Sequence, residues 1–488
     1  MIYQKNAFSI YELKSVFLEK GELLGETVFA LLKSFDLTSL CLRSKIVRAK
    51  GYSASEILNI LFFFPFMLVK TIRSFLLREY PLTSAKKDVF YRFLNEEWFD
   101  WRKMLSVTGK KFRALTADLE KSELPQCGIV DDSLLEKTGE KIEGIGKVFD
   151  HIKKKWVLGF RCLLYCFYDG KSIYPLDFSL HAEKGKDKKR PYGLTKKKLK
   201  ERYSHYRDPK SPGGKRIKEL YRDKINTALS MIKRAAKRGF VPQYLLCDSW
   251  FAAEKFIISI RKIKQGAIHF LGMVRQDKRK YLYNDKELTA EELLKLLKPS
   301  AKRCRKLNSR YVEVTVEYKA AGKLKLFFTR FTHQGKWKLI ATTDLSLNYI
   351  KSMEIYRLRW GIEVVFKECK QYLNLGKCQS NDFNAQIAET TISFMLYTML
   401  AFHKRMHAYE TMGRLFDHLK NQLLEATIAE RLWLIFLELQ KIMAEIFEID
   451  IDDYFYKLIN SEKAEAVLRS LICGLLPPDF NSPIDKAA

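Results

Sequence analysis

The chain is poor in the residues and patterns that would mark several common classes of protein. Its nine cysteines are an odd number and include no C-x-x-C pair, and its eight histidines show no zinc-ligand spacing. A disulfide scaffold and a zinc module are therefore both disfavoured. The cysteines are expected to be reduced thiols in a cytoplasmic core, with Cys162 and Cys166 as inward residues of a strand. Long apolar runs are missing too. The longest, residues 57–69, contains Asn59 and Pro65 and falls well short of the roughly 20 residues a membrane helix needs. The opening MIYQKNAFSIYELK has no signal-peptide layout, and no solenoid-length repeat is present. Acidic residues are scarce: 57 Asp plus Glu stand against 87 Lys plus Arg, a net charge of +30. Such an excess calls for a polyanionic partner, nucleic acid or an anionic membrane surface. With 488 residues the chain can hold several domains and a large core.

Taken in order, residues 1–122 read as helical. Ser53 and Glu56 form a predicted capping box, and Pro65 bends or ends the helix that follows. Phe90, Tyr91, Phe93, Trp98 and Trp101 alternate with lysines and arginines, a texture that suits a DNA-binding surface and an ordinary helical core equally well. At Pro125 the pattern changes. CGIVDDS reads as a short apolar strand ending in two aspartates, followed by strand-like runs at 156–168 and 173–180 around an Asp169-Gly170 turn. Residues 183–224 are a heavily basic segment with three prolines, either lying along phosphates or simply solvated. A helix is expected over 215–238. Residues 244–247 read as a buried strand with Asp248 at its end and a helix from Ala252. Alternating runs then follow (YVEVTVEY, KLKLFFTRF and KWKLIATTD). Strands and helices in this order indicate an α/β fold. On residue type alone, Asp131-Asp132-Ser133 fits a turn or cap as well as a ligand, and Asp248 fits a helix N-cap as well.

The remaining signal is SMEIYRLRWGIEVVFKECKQ, residues 352–371. Ile355, Leu358, Ile362, Val365, Phe366 and Cys369 recur at helical spacing and predict one buried stripe. Tyr356, Arg359, Glu363 and Lys370 project beside it within roughly 60° of one another. A solvated flank with a Glu363–Lys367 ion pair is the plain alternative. The spacing Tyr356, Arg359, Glu363, Lys370 matches the Y-R-E-K signature, and with it the stretch from Cys127 to Phe402 resembles the DDE transposases of bacterial insertion sequences, insertion sequence family four.

The resemblance implies an RNase H-like catalytic core interrupted by a β-rich insertion, with helical N- and C-terminal regions. Its expected divisions are a helical DNA-binding region 1–122, the core at 123–270 and 347–405, the insertion at 271–346, and a helical region 406–488. It also implies that Asp131, Asp248 and Glu363 are the catalytic, metal-binding carboxylates, holding two Mg²⁺ ions, with Mn²⁺ as a substitute. Asp131 is chosen over Asp132 because the family's first aspartate sits two positions before a Ser or Thr. Tyr356, Arg359 and Lys370 would handle DNA phosphates, and Trp337, in a Lys-Trp pair opening the last strand of the insertion, would stack on a flipped base. The implied activity is Mg-dependent cleavage of the element's ends through a hairpin, then strand transfer into target DNA. The implied partners are the double-stranded terminal inverted repeats and target DNA, engaged by a homodimer, without a membrane and with the protein nucleoid-associated in the cytoplasm. A metal-dependent nuclease with the same core, or a non-catalytic DNA-binding derivative, are the alternatives.

Overall fold

The computed structural model describes residues 32–66, 69, 71–77, 85–119, 124–332, 334–406, 411–421, 439, 442–443 and 446–447. The chain divides into a unit of 1–34, 66–68 and 413–488 and a unit of 35–65 and 69–412. The second carries the sheet and every candidate site residue. The expected helical region 406–488 lies for the most part outside the described residues, as do the first 31 positions of the N-terminal region.

What is described of the N-terminal region is helical: Leu37–Arg43, Ala54–Phe63, Ile72–Leu77, Lys87–Asn95 and α1 (Trp101–Leu115). Ser53 and Glu56 close the predicted capping box, each side chain accepting the other's backbone N–H. That helix stops at Phe63, two residues ahead of Pro65, which cannot continue the hydrogen-bond ladder. Of the interleaved aromatics, Phe90, Phe93 and Trp101 are buried while Tyr91 and Trp98 face solvent.

The sheet begins with β1 (Cys127–Glu136), β2 (Gly146–Asp150), β3 (Lys155–Tyr168), β4 (Ile173–His181), β5 (Tyr244–Cys247) and β6 (His269–Val274). β3 runs antiparallel to both β1 and β4, whereas β5 pairs in parallel with β1 and with β6. The order across this part is therefore β4-β3-β1-β5-β6, three antiparallel strands and then two parallel additions. Cys162 and Cys166 are fully buried on β3, and every described cysteine is a free, buried thiol. The expectation that the first strand ends at its aspartates is corrected. β1 continues to Glu136 because β3 partners it throughout, and only its pairing with β5 stops, at Val130 opposite Cys247.

β7 (Lys280–Tyr283), β8 (Lys286–Thr289), β9 (Lys302–Cys304), β10 (Ser309–Glu317), β11 (Lys323–Arg330) and β12 (Lys338–Thr342) extend the same sheet, since β12 pairs antiparallel with β6. The β7–β8 hairpin turns through Asn284 and Asp285, both at positive φ, as a two-residue turn requires. The result, among the described residues, is one twelve-stranded mixed sheet.

The helices that position the site are α2 (Lys224–Lys237), α3 (Glu254–Arg261), α4 (Tyr349–Arg357), α5 (Trp360–Tyr372) and α6 (Phe383–Met406). α6 is buried along nearly its whole length and packs on α1 and β4. Two expectations fail nearby. The helix predicted over 215–238 is two helices, Pro212–Glu219 and α2, because the Asp223 side chain caps a new start by accepting from the Asn226 N–H. The basic segment 183–224 is neither a solvated loop nor an open phosphate track throughout. Arg207 is buried within it, pairing with both oxygens of Glu143 at 2.8 and 2.7 Å and with Asp382 at 2.7 Å. A guanidinium taken out of water needs such a full set of acceptors.

Candidate active site

The carboxylates are placed by the fork in the sheet. Val130 and Cys247 are the last pair between β1 and β5, so Asp131 and Asp248 are the residues that immediately follow it on the two chains of the fork. Burial and then the charge of Asp248 push the Asp131 carboxyl up to about 7, and burial likewise raises that of Asp248. Asp248 is not a helix cap. Its side chain accepts from the Trp250 N–H at 2.9 Å, and α3 starts only at Glu254.

Glu363 lies in the first turn of α5. Arg359 joins it to the strands: one guanidinium nitrogen donates to Glu363 Oε1 at 2.7 Å and the other to Asp131 Oδ2 at 3.1 Å. The Glu363 partner is thus Arg359 rather than Lys367. The expected single helix over 352–371 is interrupted between α4 and α5. Around the break the amides of Leu358, Arg359 and Gly361 bond three residues back, each at 3.0 Å, instead of four. Gly361 sits tightly against β4, where an added Cβ would come within 3.1 Å of Ile173 Cδ1. Ile355, Ile362, Val365, Phe366 and Cys369 face the core, as the periodicity predicts, and Leu358 at the break is half-buried.

Tyr356 is half-buried at the end of α4, its ring 5.9 Å from the Arg359 guanidinium carbon, and burial raises its phenol above the usual range. Lys370 reaches back to β1 and donates to Ser133 Oγ at 2.7 Å, with burial lowering its ammonium. Arg359 and Lys370 thus reach β1 through Asp131 and Ser133, and Glu363 is tied to the same strand through Arg359. Trp337 differs from the expectation in placement: β12 begins one residue later, at Lys338. The tryptophan is half-buried outside the strand, with the Arg330 guanidinium 5.1 Å from its ring, and its carbonyl accepts from Gln276 at 2.6 Å.

Asp132 has other partners. Lys224 Nζ donates to it at 2.8 Å, and Arg161 Nε, which also binds Glu183, lies 3.5 Å away. These residues, with Asp131, Asp248, His151, Trp250 and Arg275, line a cavity of about 770 Å³. Glu363 is outside that lining and meets Asp131 through Arg359. Lys224, Arg161 and Trp250 were not legible as site residues, because their roles come from contacts across the sheet; Lys224 also lies 4.1 Å over the Trp250 ring.

Among the described residues, no three His, Cys, Asp or Glu side chains gather closely enough to form a metal-binding group. The donor chemistry nevertheless fits a hard cation. Asp131 and Asp248 offer only oxygen, and each carries a raised pKa that a nearby positive charge would reverse. No helix among the described residues is long and apolar enough to cross a membrane.

No curated protein matches the chain. Residues 222–399 match the family model of the transposase DDE domain. That span includes Asp248 and Glu363, begins after Asp131, and implies an RNase H-like core. The match supports a DDE-type transposase, a class that acts on DNA and generally uses divalent metal ions.

Proposed function

We propose that the chain is a Y-R-E-K transposase of insertion sequence family four, which binds the ends of its own element, cleaves them through a hairpin and joins them to target DNA. The observation that carries this is the adjacency of Asp131 and Asp248 at the sheet fork, with Arg359 linking Asp131 to Glu363. These three carboxylates would hold two Mg²⁺ ions, replaceable by Mn²⁺, which when bound supply an activated water or 3′-hydroxyl and charge stabilisation at phosphorus.

The chain's own residues do the positioning. The paired strands β1 and β5 anchor Asp131 and Asp248, and the first turn of α5 carries Glu363. Arg359, Lys370 and Tyr356 bind phosphates flanking the scissile one, with Arg359 exchanging its carboxylate hydrogen bonds for phosphate oxygens. Trp337, outside the strand core and already beneath a guanidinium, offers a face on which a flipped base can stack. Region 1–122, with Tyr91 and Trp98 exposed, recognises the terminal repeats. Region 271–346 is the β-rich insertion between the two parts of the core at 123–270 and 347–405, region 406–488 is a helical end that forms a dimer contact or caps the core, and a homodimeric synaptic complex acts in the cytoplasm at the nucleoid.

The test is Glu363→Gln assayed with Mg²⁺ on a duplex ending in the element's terminal repeat. Cleavage should fall by about three orders of magnitude while end binding persists. Cleavage within a few-fold of the parent would remove Glu363 from the chemistry. A parent protein that cleaves but never joins a 3′-hydroxyl end to target DNA would be a nuclease instead.

A further inference from the structure

The turn that joins β2 to β3 borders the catalytic cavity and has no part in the function proposed above. Asp150 orders it: its Oδ1 accepts the backbone N–H of Ile152 at 2.9 Å and of Lys153 at 3.0 Å. Below the turn Phe149 pairs with Trp156 across the strands, their rings 5.4 Å apart, and the His151 ring lies 5.0 Å from Phe149. Lys153 Nζ donates to Glu136 Oε2 at 2.6 Å and ties the hairpin to β1. The tip is thus a formed element, yet its outer side is open. All of residues 151–156 are exposed, Ile152 at 93% and Trp156 at 56%.

Charge and location together indicate what covers it. Residues 146–156 hold four lysines against Asp150 alone, and Asp150 is engaged by the turn's own amides. Glu136 is taken by Lys153, which leaves Lys154 and Lys155 without an acidic partner among the described residues. Phe149 and His151 line the same cavity as Asp131 and Asp248. Asp150, His151 and Ile152 line the neighbouring one, of about 400 Å³, together with Ser133 and Lys370. A lone exposed isoleucine is ordinary on a protein surface. One held on an ordered turn between two such cavities, with free lysines beside it, calls for an anionic partner that also offers an apolar edge. The groove of a double helix does both: sugars and base edges meet the isoleucine, and phosphates meet the lysines. A second copy of the chain suits the tip less well, because at +30 it is itself strongly basic.

We propose that the β2–β3 tip is a positioning element for duplex DNA, with Ile152 seated in a groove of the bound end and Lys154 and Lys155 on the phosphates beside it. The proposal rests on the reading of the chain as a transposase and adds an element that holds the duplex while the carboxylates act on it. Because the tip and Asp131 border one cavity, the contact falls close to the element's boundary, within about five base pairs at roughly 3.4 Å for each. Anchoring by Asp150 and Glu136 means that little order has to be gained on binding.

The test uses the full chain, in metal-free buffer, on a duplex carrying the terminal repeat and its flanking DNA. With the photo-crosslinker p-benzoylphenylalanine in place of Ile152, irradiation should attach the protein to DNA within about five base pairs of the outer end of the repeat. Crosslinking to a second protein chain instead, or none while the duplex is bound, overturns the proposal. The double variant Lys154→Gln/Lys155→Gln should bind the end about tenfold more weakly and lower the slope of log affinity against log salt by about two, and Lys154→Arg/Lys155→Arg should restore both. An unchanged slope overturns the phosphate contacts. Ile152→Ser should weaken end binding several-fold with the melting temperature unmoved, as befits an exposed position; a lowered melting temperature makes the tip structural and the proposal wrong. A parent that cleaves its end without the crosslink sinks this proposal and leaves the transposase reading standing, whereas a parent that crosslinks at the tip and never cleaves does the reverse.

Discussion

The carboxylate cleft and the arginine cluster formed by Arg102, Arg216 and Arg234 around Asp177 and Glu219 belong to one fold and contrast with each other. In the first, Asp131 and Asp248 follow the last β1–β5 pair, and one guanidinium bridges Asp131 to Glu363. In the second, Asp177 and Glu219 are engaged and the Arg216 guanidinium is left with unused donors. Both regions are rich in charge of both signs. What distinguishes them is the remainder after internal pairing: burial keeps the carboxyls of Asp131 and Asp248 raised at the cleft, whereas Asp177 and Glu219 are each engaged by arginines. The formal charge of +30 says nothing of this, since it sums exposed, paired and stranded groups alike.

The largest test of the contrast is within the cleft. Asp131→Asn should lower end cleavage by about a thousandfold, or about 4 kcal/mol in the barrier. Asp132→Asn, which loses a carboxylate already neutralised by Lys224 and Arg161, should stay within about tenfold. The reverse outcome, read in a gel-based cleavage assay, would exchange the two aspartates and leave the sheet fork as the organising feature.

The next effect is on stability. A carboxyl raised from its ordinary value to about 7 binds more protons in the folded protein than in the unfolded one across that interval. Stability should therefore fall as pH rises from about 4 to 7 and then level. In metal-free buffer the parent should lose about 1–3 kcal/mol over that range relative to Asp131→Asn, followed by denaturant melts at each pH. Parallel curves would mean that burial and the charge of Asp248 do not raise the Asp131 carboxyl, and the contrast between the two sites would collapse.

Smaller still is the expected loss at Trp337, which belongs to neither site. Trp337→Ala should slow hairpin formation by about one to two orders of magnitude and spare the first nick, and Trp337→Phe should recover much of it. Equal losses in both steps, with a lower melting temperature, would make it a packing residue. The smallest effect is in the arginine cluster. Arg216→Met should shift stability by no more than about 1–2 kcal/mol in denaturant melts, since the cost of burying the guanidinium disappears together with its ion pair to Glu219 and its hydrogen bond to the Phe178 carbonyl.

The strands that carry Asp131 and Asp248 were legible because a continuous apolar run needs no partner information to be recognised as buried. Residues 244–247 and the helical stripe through Ile362, Val365 and Phe366 are of that kind. Failures came where long-range contact overrides local pattern. β1 outruns its apolar stretch because β3 holds it. The predicted helix over 352–371 breaks at Leu358–Arg359, a change of hydrogen-bond register that leaves residue types unaltered. Arg207 belongs to a basic tract that reads equally as solvated or phosphate-bound, although its burial depends on Glu143 and Asp382 from elsewhere. Sequence composition shows how many charges there are, and only the fold shows which of them cancel.

The antiparallel pairing of β12 with β6 has a practical consequence for anyone trimming the protein. β6 is hydrogen-bonded to β5 on one side and to β12 on the other, through Leu339–Val274 to Thr342–Leu271. A minimal version lacking the interval after β6, β12 included, would expose the row of amides and carbonyls of HFLGMV, an apolar segment without a charged gatekeeper. Such a fragment should self-associate edge to edge. Keeping β12, or placing a lysine or proline on the newly exposed edge, is the condition for obtaining it as a soluble species.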